Sequence, residues 1–165
     1  MFAEHDKLFI GGEWVSPSSA ARIAVMNAST EEPVGSAPEA AEADVDAAVA
    51  AARRAFDDPS GWPHWEPGRR GEALLRLADE LEARAGAIGQ LVSAQNGMPV
   101  MLSPVIEGLT PVGTLRYVAS LLAHAPVEED VPRFLGGDLI IRHEPVGVVG
   151  AIVPWNYPQT LSSFK

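Results

Sequence analysis

The best candidates for a chemical role in the sequence are the five residues Pro154-Trp-Asn-Tyr-Pro158, because they directly follow a continuous apolar run over 146–153. Such a run predicts a parallel strand buried on both faces, and open α/β sheets bind ligands at the carboxyl ends of their strands. Pro154 and Pro158 restrict the backbone on both sides of Asn156. The neutral amide of Asn156 can donate hydrogen bonds without titrating, which suits a group that stabilises an oxyanion.

The same five residues also fit a plain turn with no catalytic role. In that interpretation Asn156 adopts the left-handed backbone conformation that asparagine tolerates, and Trp155 packs as a plug. The residues taken alone leave both interpretations open.

Composition excludes several other classes of chemistry. The 165 residues contain no cysteine, which excludes a thiol nucleophile, a disulfide framework and a cysteine-ligated metal within them. A net charge of −10 disfavours a nucleic-acid partner. The four histidines lack metal-ligand spacing, and neither a signal peptide nor a membrane-spanning stretch is recognisable. We therefore expect a cytoplasmic protein with no metal, nucleic-acid or membrane partner.

The first part of the chain alternates short strand signals with one strong helical pattern. Apolar runs on both sides of Gly11-Gly12 predict a hairpin, and 22–26 and 33–37 are two further strand candidates. Apolar residues recur on one face from Asp44 to Phe56, which predicts a helix.

A longer helical pattern occupies the middle of the sequence. It runs from Pro67 to about Asn96, with Gly86 and Gly89 as candidates for a bend. Ser103 followed by Pro104 predicts an N-cap, and Thr110 followed by Pro111 predicts a second cap where the helix restarts.

The last part of the chain determines the fold class. Strand-like segments at 126–131 and 138–144 flank Gly136-Gly137 and predict a second hairpin. The apolar run 146–153 then begins a parallel sheet whose other strands do not follow within the chain. The residues alone therefore predict an incomplete α/β protein.

An ordered set of motifs closely resembles the NAD(P)-dependent aldehyde dehydrogenase superfamily. The segment Glu144-Pro-Val-Gly-Val-Val-Gly-Ala-Ile-Val-Pro-Trp-Asn-Tyr-Pro158 resembles the family's Glu-Pro-x-Gly-Val-Val-Gly-x-Ile-x-Pro-Trp-Asn-Phe-Pro. Leu8-Phe-Ile-Gly-Gly-Glu-Trp-Val15 is similar to its N-terminal hairpin, and Gly97-Met-Pro99 and Arg116-Tyr117 resemble later segments. The resemblance covers nearly the whole chain.

The resemblance implies an incomplete Rossmann-like cofactor-binding domain with an N-terminal hairpin, a helical segment and a protruding hairpin arm. It divides the chain into three parts. Residues 1–125 would be the N-terminal part of the cofactor-binding domain, and 126–144 would be the hairpin arm used in oligomerisation. Residues 145–165 would begin the Rossmann-type strand–helix unit. The family forms oligomers, so the resemblance implies a homodimer or homotetramer for the full-length parent enzyme.

The resemblance also implies the reaction and the site residues. A cysteine thiolate attacks an aldehyde substrate, a hydride passes to NAD or NADP, and a water activated by a glutamate hydrolyses the thioester. Asn156 would be catalytic by holding the oxyanion. The cofactor-binding residues implied are Ile152, Val153, Pro154, Trp155 and Asn156.

The sequence departs from the family in what it lacks. The nucleophilic cysteine, the general-base glutamate and the cofactor glycines of the family correspond to positions beyond residue 165, so we expect the chain alone to be inactive. The alternative is a truncated, non-catalytic relative that acts as an interaction module or has no function.

Overall fold

The structure is a computed structural model that describes residues 6–122, 124–132, 134 and 136–165. A short 3-10 helix at Trp62–His64 and a π-helical turn at Pro104–Leu109 accompany the regular elements. These elements, in chain order, are β1 (Leu8–Ile10), β2 (Glu13–Val15), β3 (Arg22–Met26), β4 (Pro33–Pro38), α1 (Glu42–Asp57), α2 (Pro67–Glu82), α3 (Ala85–Asn96), α4 (Thr110–Leu122), β5 (Glu128–Pro132), β6 (Asp138–Arg142) and α5 (Pro158–Ser162).

The six strands form three separate antiparallel hairpins: β1 with β2, β3 with β4, and β5 with β6. In the first hairpin, Leu8 pairs with Val15, and Gly11 and Gly12 supply the positive φ angles of the turn, 64° and 88°. The sequence predictions of both glycine hairpins and of the strands at 22–26 and 33–37 are confirmed, with bounds shifted by one or two residues.

The N-terminus of helix α1 is hydrogen-bonded to the loop before β3. Asp44 is buried and accepts hydrogen bonds from the Ala41 N–H at 2.9 Å and from the N–H and hydroxyl of Ser18 at 2.9 and 2.8 Å. These bonds, with the Ala41 N–H as the largest cause, lower the pKa of the Asp44 carboxyl. A carboxylate in a first helical turn thus satisfies backbone donors that the helix cannot.

The predicted long helix is divided at a different place from the one expected. The break lies at residues 83–84, where Arg84 has φ −110° and ψ 3°, so the prediction of a bend at Gly86 and Gly89 is wrong. Gly89 instead permits a close approach, because a Cβ there would lie 2.6 Å from the Cα of Pro104. The glycine therefore serves packing between α3 and the π-helical turn.

Neither predicted cap before α4 forms. Ser103 has helical backbone angles, and its hydroxyl donates to the Gly89 carbonyl at 2.7 Å, 14 residues away. Thr110 is also helical, and its N–H donates to the carbonyl of Val105 five residues earlier, as in a π-helix. Both predictions are wrong because a tertiary contact and a continuous helical turn replace the expected helix starts.

The small hydrophobic core lies between α2 and α4. Its buried members are Ala78, Val112 and Leu115, with Leu74 and Leu81 packed against them. At the edge of this contact, Arg116 pairs with Asp79 at 2.9 Å and with Glu82 at 2.7 Å. These ion pairs are solvent-exposed and contribute little to stability, so apolar packing holds the two helices together.

Residues 146–153 do not form the predicted strand. They have no regular secondary structure, pair with no strand in the described part of the chain, and leave Val146 and Ile152 about nine-tenths exposed. A strand needs a neighbouring strand for its backbone hydrogen bonds, and no described strand pairs with this run. The outcome fits the predicted incomplete fold.

We expect the 165-residue chain to self-associate in solution. Its accessible surface is 11563 Å², whereas a compact monomer of its mass exposes about 7900 Å². Exposed apolar patches of this kind favour association. Sedimentation velocity over a range of concentrations should show mass increasing with concentration, and an apolar dye should bind. A monodisperse monomer with a sharp, reversible thermal transition contradicts the prediction.

Gly89→Ala should destabilise the packing of α3 by about 1–3 kcal/mol, because the new methyl group must displace the backbone at Pro104. Gly86→Ala is the matched control, since no atom lies within 4 Å of a Cβ there. That control should be neutral or stabilising by about 0.5–1 kcal/mol. Pulse proteolysis in urea, on protein dilute enough to be monomeric, measures both. Equal effects of the two variants would show that the close approach is absent.

Candidate functional site

The loop at 154–158 lies on the surface, follows residues 146–153 and ends at Pro158, the first residue of α5. Ile152 and Trp155 are 88% and 68% exposed, while Val153 and Tyr157 are each 38% exposed. Pro154 and Asn156 are exposed as well. All the predicted site residues thus lie in one exposed stretch of the chain, and this stretch carries no charged side chain.

Asn156 has a fixed backbone and a free side chain. Its carbonyl oxygen accepts a hydrogen bond from Nδ2 of Asn96 at 3.1 Å. Among the residues that the structure describes, none hydrogen-bonds the Asn156 side-chain amide. The amide can therefore donate to a ligand without first breaking a bond within the described chain.

Asn96 is itself held by the end of α3. Its Oδ1 accepts a hydrogen bond from the Met98 N–H at 2.9 Å, across Gly97, which has the left-handed φ of 78°. The side chain is thus oriented by the turn that ends the helix. Sequence reasoning missed Asn96, although an asparagine as the last helical residue before a glycine was an available signal.

The first turn of α5 is bonded to the π-helical turn. Oε2 of Glu107 accepts hydrogen bonds from the N–H groups of Gln159 at 2.8 Å and of Thr160 at 3.4 Å. The Thr160 hydroxyl also donates to the carbonyl of Ile106. Helix α5 therefore starts at a fixed place relative to residues 106–107.

Glu107 is the most unusual side chain near the loop, because it is fully buried. Its second oxygen, Oε1, is buried and accepts no hydrogen bond from the described residues. A buried carboxylate without an ionic partner is costly and needs hydrogen-bond donors. Sequence reasoning missed Glu107 too; the signal was a single acidic residue within an otherwise uncharged stretch between Pro104 and Pro111.

Two other classes of site receive no support from the part of the chain described. Within those residues, no three histidine, aspartate or glutamate side chains gather as a metal site. None of the described helices has the length and apolar character needed to cross a membrane.

The described residues form part of an α/β domain, and comparison with known proteins identifies its family. The profile of the Aldehyde dehydrogenase family matches residues 14–165. The chain belongs to the aldehyde dehydrogenase family, as the sequence motifs predicted.

Individual relatives agree in sequence and in fold. A geranial dehydrogenase of Castellaniella defragrans is 44% identical over 165 residues, which are 100% of this chain and 34% of that protein. The aldehyde dehydrogenase of Mycobacterium tuberculosis complexed with NAD+ matches with a TM-score of 0.87 and 40% identity, covering 97% of this chain and 33% of that one. An aldehyde dehydrogenase C mutant of Pseudomonas syringae, complexed with NAD+ and octanal, matches with a TM-score of 0.87 and 32% identity. That match covers 97% of this chain and 31% of the other one. The chain spans about a third of the length of the relatives it matches.

Asn96→Ala should loosen the loop, because it removes the bond to the Asn156 carbonyl. The net free energy of one such hydrogen bond corresponds to about a 2- to 10-fold change in the equilibrium between the closed and the open loop. Chymotrypsin cleavage after Trp155 should accelerate by that factor. The control is Gln90→Ala, an exposed amide on the same helix. Identical cleavage rates in the two variants would show that Asn96 does not hold the loop.

Proposed function

We propose that the chain is the N-terminal third of an NAD(P)-dependent aldehyde dehydrogenase, which oxidises an aldehyde to a carboxylic acid. The observation that carries the proposal is the loop at 154–158, where a fixed backbone presents a free Asn156 amide, within a chain that matches the family throughout. An alkyl or aryl aldehyde of unspecified size is the substrate class.

The cofactor assignment, NAD or NADP, is supported by the character of the surface at 152–155. Ile152 and Trp155 expose apolar and aromatic area, and no charged residue occurs from Pro145 to Pro158. Such a lining fits the ribose and nicotinamide part of a dinucleotide, and relatives of this chain have been solved as NAD+ complexes. The bound cofactor supplies an acceptor for the hydride that leaves the substrate. Ile152, Val153, Pro154 and Trp155 would hold and orient it.

Asn156 is proposed to act on the aldehyde oxygen. When a nucleophile adds to the aldehyde carbon, the carbonyl π electrons move to the oxygen, which becomes an oxyanion. The Nδ2 group of Asn156 would donate a hydrogen bond to that oxygen, and its neutral amide keeps this capacity at any physiological pH. The chain contains no cysteine, so the thiolate nucleophile of the family has to come from residues other than these 165.

We also propose roles for the three parts of the chain. Residues 1–125 and 145–165 would belong to the cofactor-binding domain, and 126–144 would form an oligomerisation arm of a homodimer or homotetramer. The hairpin of β5 and β6 supports the assignment of an oligomerisation arm, because Leu139, Ile140 and Ile141 are each exposed by two-fifths or more. Exposed apolar residues of this kind favour contact with another chain.

Asn156→Ala should lower turnover about 100- to 1000-fold, the usual effect of losing one oxyanion donor. The experiment uses a fusion enzyme in which this chain replaces the matching first third of the Castellaniella geranial dehydrogenase, with geranial and NAD+ as substrates. Gln90→Ala in the same fusion is the matched amide control and should retain full turnover. A loss below about tenfold for Asn156→Ala removes this residue from the oxyanion role, and a folded but inactive parent fusion contradicts the proposed function.

The alternative is a non-catalytic interaction module, which the absence of cysteine favours for these residues alone. The intact mass of the protein purified from its own cells separates the two proposals. A mass of 17.5 kDa supports the module, and a mass roughly three times larger, as the lengths of the relatives indicate, supports the enzyme.

A further inference from the structure

We infer that Glu107 is a positioning residue for Asn156: its buried carboxylate replaces the missing N-cap of α5 and so fixes the backbone from which the Asn156 amide projects. The inference rests on the proposed function and deepens it, because it names a residue outside the loop on which the oxyanion donor depends.

Helix α5 cannot satisfy its own first turn. The residue at its N-cap position is Tyr157, whose side chain makes no capping hydrogen bond, and Pro158 at the first helical position has no N–H to offer. The N–H groups of Gln159 and Thr160 therefore need an acceptor from elsewhere. Glu107 provides it with a single oxygen, Oε2.

The π-helical turn accounts for the place of Glu107. Pro111 lacks an N–H, and its ring opposes the carbonyl four residues earlier, that of Glu107 itself, which disfavours a regular α-helix there. The backbone instead forms a π-helical hydrogen bond that spans five residues, from the Thr110 N–H to the Val105 carbonyl. π-Helical segments occur frequently at functional sites. The wider turn places Glu107 against the start of α5, where its side chain is completely buried.

Two side chains, which we call the anchors of the loop, hold the backbone on either side of the free Asn156 amide. On one side, Asn96 holds the carbonyl of Asn156. On the other side, Glu107 holds the N–H of Gln159, three residues further along. Pro158 stiffens the connection between the two anchors. The backbone of Asn156 is thus fixed at both ends while the side chain stays free, which is the arrangement of a preorganised donor.

The inference is tested by a double-mutant cycle in the fusion enzyme. Glu107→Ala should lower kcat about 10-fold or more and change KM for geranial less than about twofold, because an oxyanion donor acts in the transition state. In the Asn156→Ala background, Glu107→Ala should lower kcat by less than about twofold further, since Glu107 acts through Asn156. A merely structural role gives independent losses that multiply in the double variant, and that result overturns the inference.

Conservative replacement provides a second readout. Glu107→Gln keeps the size of the side chain and one acceptor oxygen, so its kcat should lie between those of the parent fusion and Glu107→Ala. Glu80→Ala is the matched control at an exposed glutamate paired with Arg84, and its kcat should be unchanged. Equal kcat values for parent and Glu107→Ala contradict the inference.

Amide hydrogen exchange keeps the inference testable where a variant fails to fold. In the parent fusion, the Gln159 and Thr160 amides should exchange at least about 10-fold more slowly than an exposed amide, because a charged acceptor binds them in a buried place. Unprotected exchange at both positions overturns the inference. This measurement needs no activity, so it still decides whether Glu107 caps α5 if Asn156→Ala keeps its turnover and the proposed function fails.

Discussion

The close approach of α3 to the turn at 103–109 is the contact on which the loop at 154–158 depends. Gly89 has no side chain, so the backbone at Pro104 comes within a distance that a methyl group would block. The Ser103 hydroxyl then bonds to the Gly89 carbonyl and fixes the approach. Because the turn seated there carries Glu107, and α3 ends in Asn96, both anchors of the loop follow from this one contact.

Local patterns in the sequence predicted the elements well, and tertiary contacts account for the failures. The glycine hairpins and the amphipathic helices depend on residues close in sequence, and they form where expected. Ser103 has the residue type of an N-cap, but its hydroxyl reaches a carbonyl 14 residues away. The apolar run 146–153 has the composition of a buried strand, but strand pairing is non-local and no described segment supplies the partner.

The same distinction applies to the site. The residues of the loop could be found in sequence because two prolines, a tryptophan and an asparagine follow an apolar run within a few positions. Asn96 and Glu107 each carry a sequence signal, but their contacts could not be predicted, because those contacts with the loop and α5 span 60 and 52 residues. A polar residue in an apolar helical stretch indicates that something must satisfy it, but only the fold shows which backbone groups do so.

The distribution of hydrogen bonds is consistent with the proposed role of an uncharged loop in stabilising an oxyanion. Among the described residues, the hydrogen bonds that join the loop and the first turn of α5 to the rest of the chain use backbone groups of Asn156, Gln159 and Thr160, together with the hydroxyl of Thr160. The Asn156 amide is left out of this network, so it keeps its full capacity to donate. Glu107, the one acidic side chain involved, accepts hydrogen bonds from backbone N–H groups and is buried away from the surface of the loop. A carboxylate facing a developing oxyanion would oppose it. In the proposed reaction, the position of Glu107 beneath the loop would orient the neutral donor without adding negative charge beside the reacting oxygen.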